Sequence, residues 1–476
     1  MIRFVLIAGA MAVVLAASPR TVFDLDRFLV PKELALHATA VIAGLLSFRA
    51  MRRTRLDWLL LGFLALSAVS ALLATNKWLG LRALAISASG VVLFWAARAV
   101  RDAGHERQLL NGLALAVVIA AATSLVQAYG VRTIVFAINR APGGTLGNRN
   151  FVAHLAAIGL PLCLLAALRS KRFFIGVPIV SAALVLTRSR AGWLAAAVAV
   201  SIFFVFAVRE HGRRLIAILA VAAAGAAAAL IVPNALRWRS DNPYFESVTG
   251  VVDYERGSGR GRLVQYQHSL LMAARHPLLG VGPGNWPVEY PKHAARNDPS
   301  LSDSEGGMTS NPWPSSDWVA FVAERGLAAA VLLALFFLGL LKRDATLLAT
   351  LAALIVAGLF DAVLLLPAPA LIAWTALGAL SNETTVDRLK PVATLVIAIC
   401  TLGAFRSAAQ LTAMEIYATT SDRASLERAA RIDPGSYRLR MRLARGGRRR
   451  CAHALAAHAL FPSAQAALAA SRGCKP

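Results

Sequence analysis

The sequence predicts an all-α, polytopic membrane helix bundle of about 12–13 transmembrane helices, with a loop domain and a small helical tail outside the membrane. Three features predict it. Of 476 residues, 57% are hydrophobic and only 16% charged, with a mean hydropathy of +0.60. Apolar runs of about 16–22 residues recur along the chain, the length needed to cross a hydrocarbon core of about 30 Å. Lysine and arginine gather in short caps between those runs. Because lipid offers no partner to backbone N–H and C=O groups, the runs must be helices.

The net charge of +25 raises the question of nucleic acid. Its distribution answers it. The basic caps follow the positive-inside pattern, and no nucleic-acid reader motif is present. No nucleic-acid partner is expected.

In order, spanning segments are read at 3–18, 33–48, 57–74, 79–100, 109–129, 151–168, 173–190, 191–208, 215–233, 326–341, 345–364, 369–381 and 391–408. The first is read as an anchor, since further apolar runs follow it and no clean small-x-small cleavage site ends it. With a cytoplasmic N-terminus, the alternate loops Arg49–Arg55, Arg101–Arg107, Arg169–Arg172, Arg209–Arg214 and Lys342–Arg343 each carry at least two basic residues. That assignment of sides is self-consistent. The opposite side then receives 19–32, 130–150, 234–325 and the chain from 409. Four regions follow: N-terminal transmembrane helices (1–233), a long loop (234–325), C-terminal transmembrane helices (326–408) and a helical tail (409–476).

The tail reads as helical stretches at about 424–431 and 436–445, then a pair near 451–460 and 463–472 separated by Phe461-Pro462. An antiparallel hairpin there would set Cys451 beside Cys474. A disulfide between them fits an oxidising compartment such as a periplasm; two separate thiols are the alternative. Cys163 and Cys400 lie within spans and read as ordinary buried thiols.

Basic residues on the non-cytoplasmic side are the informative exceptions to the charge rule. Arg140 and Arg149 flank Gly143-Gly144-Thr145-Leu146-Gly147-Asn148. Arg188 and Arg190 sit in Thr187-Arg188-Ser189-Arg190-Ala191-Gly192-Trp193, and Arg256, Arg260 and Arg262 open a Gly-rich stretch from Glu255. Guanidinium groups bind phosphate oxygens in bidentate fashion and keep their charge. Converging on one cavity they would suit a lipid diphosphate; spread apart they are solvated loop charges.

The long loop ends on His276-Pro277-Leu278-Leu279-Gly280-Val281-Gly282-Pro283-Gly284-Asn285-Trp286, whose glycines permit tight turns and close backbone approach. No strand and crossover helix frame it, so it is not a dinucleotide fingerprint. Next comes the amphipathic segment Ser315–Gly326, with Asp317 and Glu324 close to the membrane. Ionisable groups at that depth are functional candidates, or partners of a neighbouring Arg that fix the loop. Asp24-Leu25-Asp26 is a weak metal or acceptor-orienting pair that Arg20, Arg27 and Lys32 would neutralise. The nine histidines show no metal-ligand spacing.

These stretches together resemble the O-antigen ligase and polymerase superfamily. The matching pieces are Gly-Thr-Leu-Gly-Asn at 144–148, Ser-Arg-x-Gly-Trp at 189–193, Arg262-Leu263 followed by Tyr266, the His-Pro-Leu-Leu-Gly-Val-Gly-Pro-Gly-Asn block at 276–285 and Ala-Glu-x-Gly at 323–326. Their joint order is more specific than any one of them. The tail is similar to a short tetratricopeptide-type extension. The resemblance implies a metal-independent, inverting glycosyltransferase of the GT-C type that needs no cofactor. It would move a glycan from undecaprenyl diphosphate to a glycan, lipid or protein acceptor at the periplasmic face of a bacterial inner membrane. Arg190 and Arg262 would stabilise the diphosphate leaving group, with Arg140, Arg188 and Arg260 as secondary clamps. Asn148, Gly282 and Asn285, within the matching motifs, would line the substrate.

One departure stands out. Ligases typically carry a His just before the Ala-Glu-x-Gly element, and here those positions are Ser315 and Ser316. Asp317 or Glu324 is then the base candidate by location, or positioning dominates. Ligase, polymerase and O-linked protein oligosaccharyltransferase remain open. The competing classes are a transporter or flippase of lipid-linked sugars, which would favour inverted repeats and midplane charges, and a non-catalytic assembly protein that recruits partners through its tail.

Overall fold

The computed structural model describes residues 1–137, 139–249, 257–302, 306–341, 344–382 and 390–474. Glu255, Arg256, Lys342 and Arg343, singled out above, lie outside the described residues. Among the described residues the chain forms nineteen α-helices and no strand. In order these are α1 (Ile2–Leu15), α2 (Asp26–Ser47), α3 (Asp57–Leu73), α4 (Lys77–Asp102), α5 (Glu106–Ala128), α6 (Arg149–Arg169), α7 (Gly176–Leu186), α8 (Arg190–Ile231), α9 (Pro243–Thr249) and α10 (Gly257–Arg275). Then follow α11 (Trp286–Glu289), α12 (Asp317–Gly339), α13 (Ala345–Phe360), α14 (Pro367–Leu380), α15 (Lys390–Thr419), α16 (Arg423–Ile432), α17 (Tyr437–Ala444), α18 (Arg450–Leu460) and α19 (Gln465–Ser471). Among the described residues, seven helices (α2, α4, α5, α6, α8, α12 and α15) are long and apolar enough to cross a membrane, and α1, α3, α13 and α14 are shorter apolar helices. This is the all-helical, multi-pass architecture expected from the apolar runs.

Two compact units cut across sequence order. The first comprises Met1–Asp57, Ile86–Asp253 and Phe336–Thr401; the second comprises Trp58–Ala85, Tyr254–Leu335 and Leu402–Pro476.

In the first unit α6 is the central element, packed by α5, α7, α8, α13 and α14. The helical segment α8 covers 42 residues, yet Ala229 shares an apolar cluster with Leu186 and Ala128. A straight helix would carry Ala229 roughly 60 Å from Leu186, at 1.5 Å per residue. The segment therefore folds back. Gly192 abuts Ala153 near the start of α6, and Arg214 donates to the Ala167 carbonyl near its end (3.0 Å). The return lies in the basic stretch Arg209–Arg214, so α8 holds both of the runs read at 191–208 and 215–233.

A buried ion pair fixes the first unit from inside. Asp57 and Arg98 are 0% and 2% exposed, and they meet in two bonds of 2.8 and 3.1 Å. Asp57 also accepts from the Trp95 indole (2.9 Å) and from the amide and hydroxyl of Thr54 (2.6 and 3.2 Å). Every lone pair of the carboxylate faces a donor, which is the condition under which a buried charge is tolerated.

In the second unit α12 is broken at Gly326, whose φ of 82° and ψ of 166° interrupt the helix. The apolar run at 326–341 thus corresponds to the part of α12 beyond the break. The core beside it comprises Met272, Trp286, Tyr290 and Ala323. Helix α15 runs on to Thr419, eleven residues past the expected end of the last span at 408. Its Ala413 packs with Leu426, Ala429, Leu439 and Leu443 of the tail, so the tail is continuous with a membrane helix. Helices α18 and α19 are joined by a Cys451–Cys474 disulfide with a Cα separation of 5.3 Å. The bend between them holds the loop at 306–308, through Gln465 N–H to the Gly306 carbonyl (2.7 Å) and Met308 against Ala457, Ala464 and Ala467.

Replacing Asp57 by Ala strands the Arg98 charge in the core and should destabilise the protein by about 3–5 kcal/mol. The Asp57→Leu/Arg98→Met double variant should recover most of that loss. Thermal unfolding of the detergent-solubilised variants is the check; equal midpoints for wild type and Asp57→Ala would refute it.

Candidate functional site

The first unit assembles four of the arginines. The backbone from Arg140 to Arg149 closes on itself, with Arg149 N–H donating to the Arg140 carbonyl (3.0 Å) around a short 3-10 turn at Gly144–Leu146. Asn148 caps α6, its side-chain oxygen accepting from Asn150 N–H at 3.0 Å. Arg149 is therefore the first residue of a buried helix. Arg140 instead turns to Asp24, 3.2 Å away, which places one member of the Asp24-Leu25-Asp26 pair in an ion pair.

Arg188 is the one non-glycine residue with positive φ (55°) among the described residues. Such a conformation persists only where the surroundings hold it, and it is concentrated at functional positions. The turn is locked because Ser189 caps α8, its hydroxyl accepting from Gly192 N–H (3.4 Å). Arg190 follows as the first residue of α8 and is half-buried. From the strained turn the Arg188 guanidinium reaches Trp238, 4.8 Å from the ring centroid, and donates to the Ser247 hydroxyl at 3.0 Å. The Arg149 guanidinium lies 5.0 Å from the centroid of the same ring.

Two guanidinium groups thus lie against one indole ring, an arrangement the ring quadrupole favours and mutual repulsion opposes. Among the described residues the one carboxylate within 4 Å of Arg188 is Glu246, at 3.9 Å and 57% exposed. The local balance is cationic. Trp238, between Arg237 and Arg239, and the pairing of Arg149 with Arg188 escaped the sequence reading; the aromatic residue inside a basic tripeptide was the available signal.

The second unit arranges the Gly-rich block around the break in α12. Val281 and Gly282 donate their amides to the Ala323 and Glu324 carbonyls (3.0 and 2.8 Å), and Leu327 N–H donates to the Pro277 carbonyl (2.9 Å). The two segments approach so closely that a Cβ at Gly280 would lie 2.3 Å from the Glu324 carbonyl carbon, and one at Gly326 2.1 Å from the Leu278 oxygen. Both glycines also have positive φ, so both are required.

Glu324 is buried at 1% exposure, and its two carboxylate oxygens accept from Gly284 N–H (2.8 Å) and Trp286 N–H (3.1 Å). Asn285 is wholly buried: its oxygen accepts from Asn76 N–H (2.7 Å) and its NH2 donates to the Asn76 and Pro283 carbonyls (3.1 and 3.0 Å). Gly282 supplies backbone to the same clasp. The polar groups of these three, expected as base at Glu324 and substrate contacts at Gly282 and Asn285, hold the turn. Asp317 is likewise buried, at the start of α12, and with Glu324 it supplies the negative charge acting on the buried Arg325, which lies about equally over Phe63 and Phe321.

Helix α10 carries the remaining candidates. Arg260 is exposed and Arg262 half-buried. One turn on, Gln265 accepts from Ser315 N–H (2.5 Å) and the Tyr266 hydroxyl donates to the Ser315 carbonyl (2.7 Å), tying the segment before α12 to α10. His268 bonds through Nδ1 to Asp298 at 2.7 Å. The same Asp298 oxygen accepts from the Tyr290 hydroxyl (2.8 Å), and its other oxygen from Ser300 N–H (2.8 Å). Burial and the bond to Asp298 push the Tyr290 phenol well above its ordinary range, so it acts as a fixed donor. Among the described residues no group of three or more His, Cys, Asp or Glu side chains is placed to hold a metal ion.

Glu324→Gln should lower stability by about 1–3 kcal/mol, since an amide cannot accept from both Gly284 and Trp286. Thermal unfolding measures it. Unchanged stability with lost turnover would return Glu324 to the role of acid or base.

Residues 173–334 match the family model described as O-antigen ligase. No curated protein matches the chain. The matched stretch contains the strained turn at Arg188, Arg190, the whole of α10 and the clasp around Glu324. The chain is a multi-pass membrane protein that carries, over residues 173–334, an O-antigen ligase family domain.

Proposed function

We propose that the protein is a membrane glycosyltransferase that moves a glycan from an undecaprenyl-diphosphate donor to an acceptor hydroxyl at the periplasmic face of a bacterial inner membrane. The observation that carries this reading is the cationic pair Arg149 and Arg188 on Trp238, whose Arg188 lies inside the segment matching the O-antigen ligase family. Two guanidinium groups fixed by a helix start and a strained turn are suited to a diphosphate, whose oxygens accept bidentate donation. The indole of Trp238 adds an apolar element that suits a sugar ring or isoprenoid.

In the reaction the acceptor oxygen attacks the anomeric carbon, the bond to the phosphate oxygen breaks, and its electron pair leaves on the lipid diphosphate. Positive groups at that oxygen stabilise the charge as it develops. Arg190 and Arg262 take this part, with Arg140, Arg188 and Arg260 as further clamps. The Cys451–Cys474 disulfide supports an oxidising, periplasmic location for the tail at 409–476, and the basic caps support a cytoplasmic N-terminus. The loop 234–325 then lies on the same side as the tail. The tetratricopeptide-like tail suits selection of a glycan, lipid or protein acceptor.

The test is transfer by purified protein in detergent, with undecaprenyl-diphosphate oligosaccharide as donor and EDTA present. Wild type should transfer; Arg190→Ala and Arg262→Ala should each lose on the order of 10²-fold or more in turnover while remaining folded. Product length distinguishes polymerisation from single ligation. Full activity in both variants would sink the assignment of these arginines, and donor binding without transfer to any acceptor would favour a transporter.

A further inference from the structure

The transfer reaction requires a group that takes the acceptor hydroxyl proton, and Ser315 and Ser316 cannot serve. We propose that His268, oriented by Asp298, is that base; the proposal rests on the transferase reading above. A base needs a nitrogen whose lone pair is open and a neighbour that fixes the ring's tautomer. His268 has both. Its Nδ1 lies 2.7 Å from Asp298, whose side chain is wholly buried and, when ionised, only accepts hydrogen bonds. In the neutral ring Nδ1 therefore carries the hydrogen, and Nε2 presents its lone pair.

Asp298 is itself immobilised by the Tyr290 hydroxyl and Ser300 N–H, both at 2.8 Å. The imidazole is thus held from behind by a carboxylate with both oxygens engaged. Nε2 has no hydrogen-bond partner among the described residues, and the side chain as a whole is 19% exposed, so the imidazole is not sealed in the core. His293, also in this unit, is placed differently. Its Nδ1 faces the Arg275 guanidinium at 3.2 Å, and burial followed by the charge of Arg275 pushes it below the ordinary histidine range, with Glu289 only partly opposing them.

Position on α10 supports the assignment. Arg262 and His268 are six residues apart on one helix, a rise of about 9 Å with the two side chains leaving the helix about 120° apart around its axis. In an inverting displacement the acceptor oxygen and the leaving oxygen flank the anomeric carbon on opposite sides. A proton acceptor and a phosphate-binding cation must then sit on the order of 10 Å apart, given near-attack and hydrogen-bond distances of about 3 Å each. Between them on the helix, Gln265 and Tyr266 grip Ser315, the position where the family's ligases carry their own histidine. The proton passes from the acceptor hydroxyl to His268 Nε2 as the carbon–oxygen bond forms, and from there to water. Asp298 stabilises the imidazolium and is a positioning residue.

The experiment uses the full-length protein in detergent, with three variants: His268→Gln, which keeps a donor to Asp298 but has no basic nitrogen; His268→Ala; and Asp298→Asn. His268→Gln should lose about 10²–10⁴-fold in kcat with KM for the lipid-linked donor unchanged. Added imidazole should restore part of the His268→Ala activity, and Asp298→Asn should lose less than His268→Gln. Thermal unfolding of His268→Gln should match wild type. Turnover of His268→Gln within twofold of wild type overturns the assignment while leaving the transferase reading intact. Lost activity with a lowered midpoint and no imidazole rescue also overturns it, making the pair a clip for the 298–315 loop. A wild-type protein that transfers to no acceptor overturns both readings.

Discussion

A membrane interior supplies no water to complete a broken hydrogen-bond ladder, so any interruption in a spanning helix must be closed by the protein itself. Helix α12 meets this constraint at Gly326. The break would expose carbonyls and amides on either side of it, and the stretch from Pro277 to Gly282 takes them up one by one. The Glu324 carboxylate completes the exchange by accepting from the Gly284 and Trp286 amides. The Gly-rich block is thus a piece of backbone shaped to replace the missing helical turn. Much of the second unit follows from this clasp: it fixes Trp286 and Tyr290 in the core, and Tyr290 in turn fixes Asp298.

The first unit handles buried polarity in another way. Asp57 and Arg98 form a closed set in which each charge faces its opposite and the remaining lone pairs face Trp95 and Thr54. Nothing in that cluster is left over for a ligand. At Trp238 the opposite holds. Two guanidinium groups are brought together by a strained turn and a capped helix start, with one exposed carboxylate at the margin of contact. A fold that neutralises one buried arginine completely and gathers two others with little compensation separates a structural charge from a binding charge.

The tail adds a constraint outside the membrane. Because α15 continues without interruption from an apolar run into the tail, the first tail helices are stacked on a membrane helix instead of hanging from a linker. The disulfide closes the last helical pair, and the bend of that pair grips the loop at 306–308, which precedes α12 in the chain. The tail that reads from the sequence as a short helical extension is part of the second unit.

The sequence alone determined the class and most of the elements. Apolar runs of membrane length can be only helices, and their spacing is local information that needs no tertiary context. The doubling back of α8 was legible too, as two apolar runs around the basic stretch Arg209–Arg214, where a plain helical assignment would miss it. The hairpin of α18 and α19 followed from Phe461-Pro462. The roles of individual polar residues were decided elsewhere. Glu324 drew attention as an ionisable group near the membrane and Asn285 as part of the Gly-rich block, but only the tertiary contacts revealed that both hydrogen-bond backbone amides or carbonyls. Trp238, His268 and Asp298 carried no motif. They matter because chain segments distant in sequence bring Arg149 and Arg188 onto one ring, and a buried carboxylate behind one imidazole, and hydrogen bonds over such separations leave no periodicity to read.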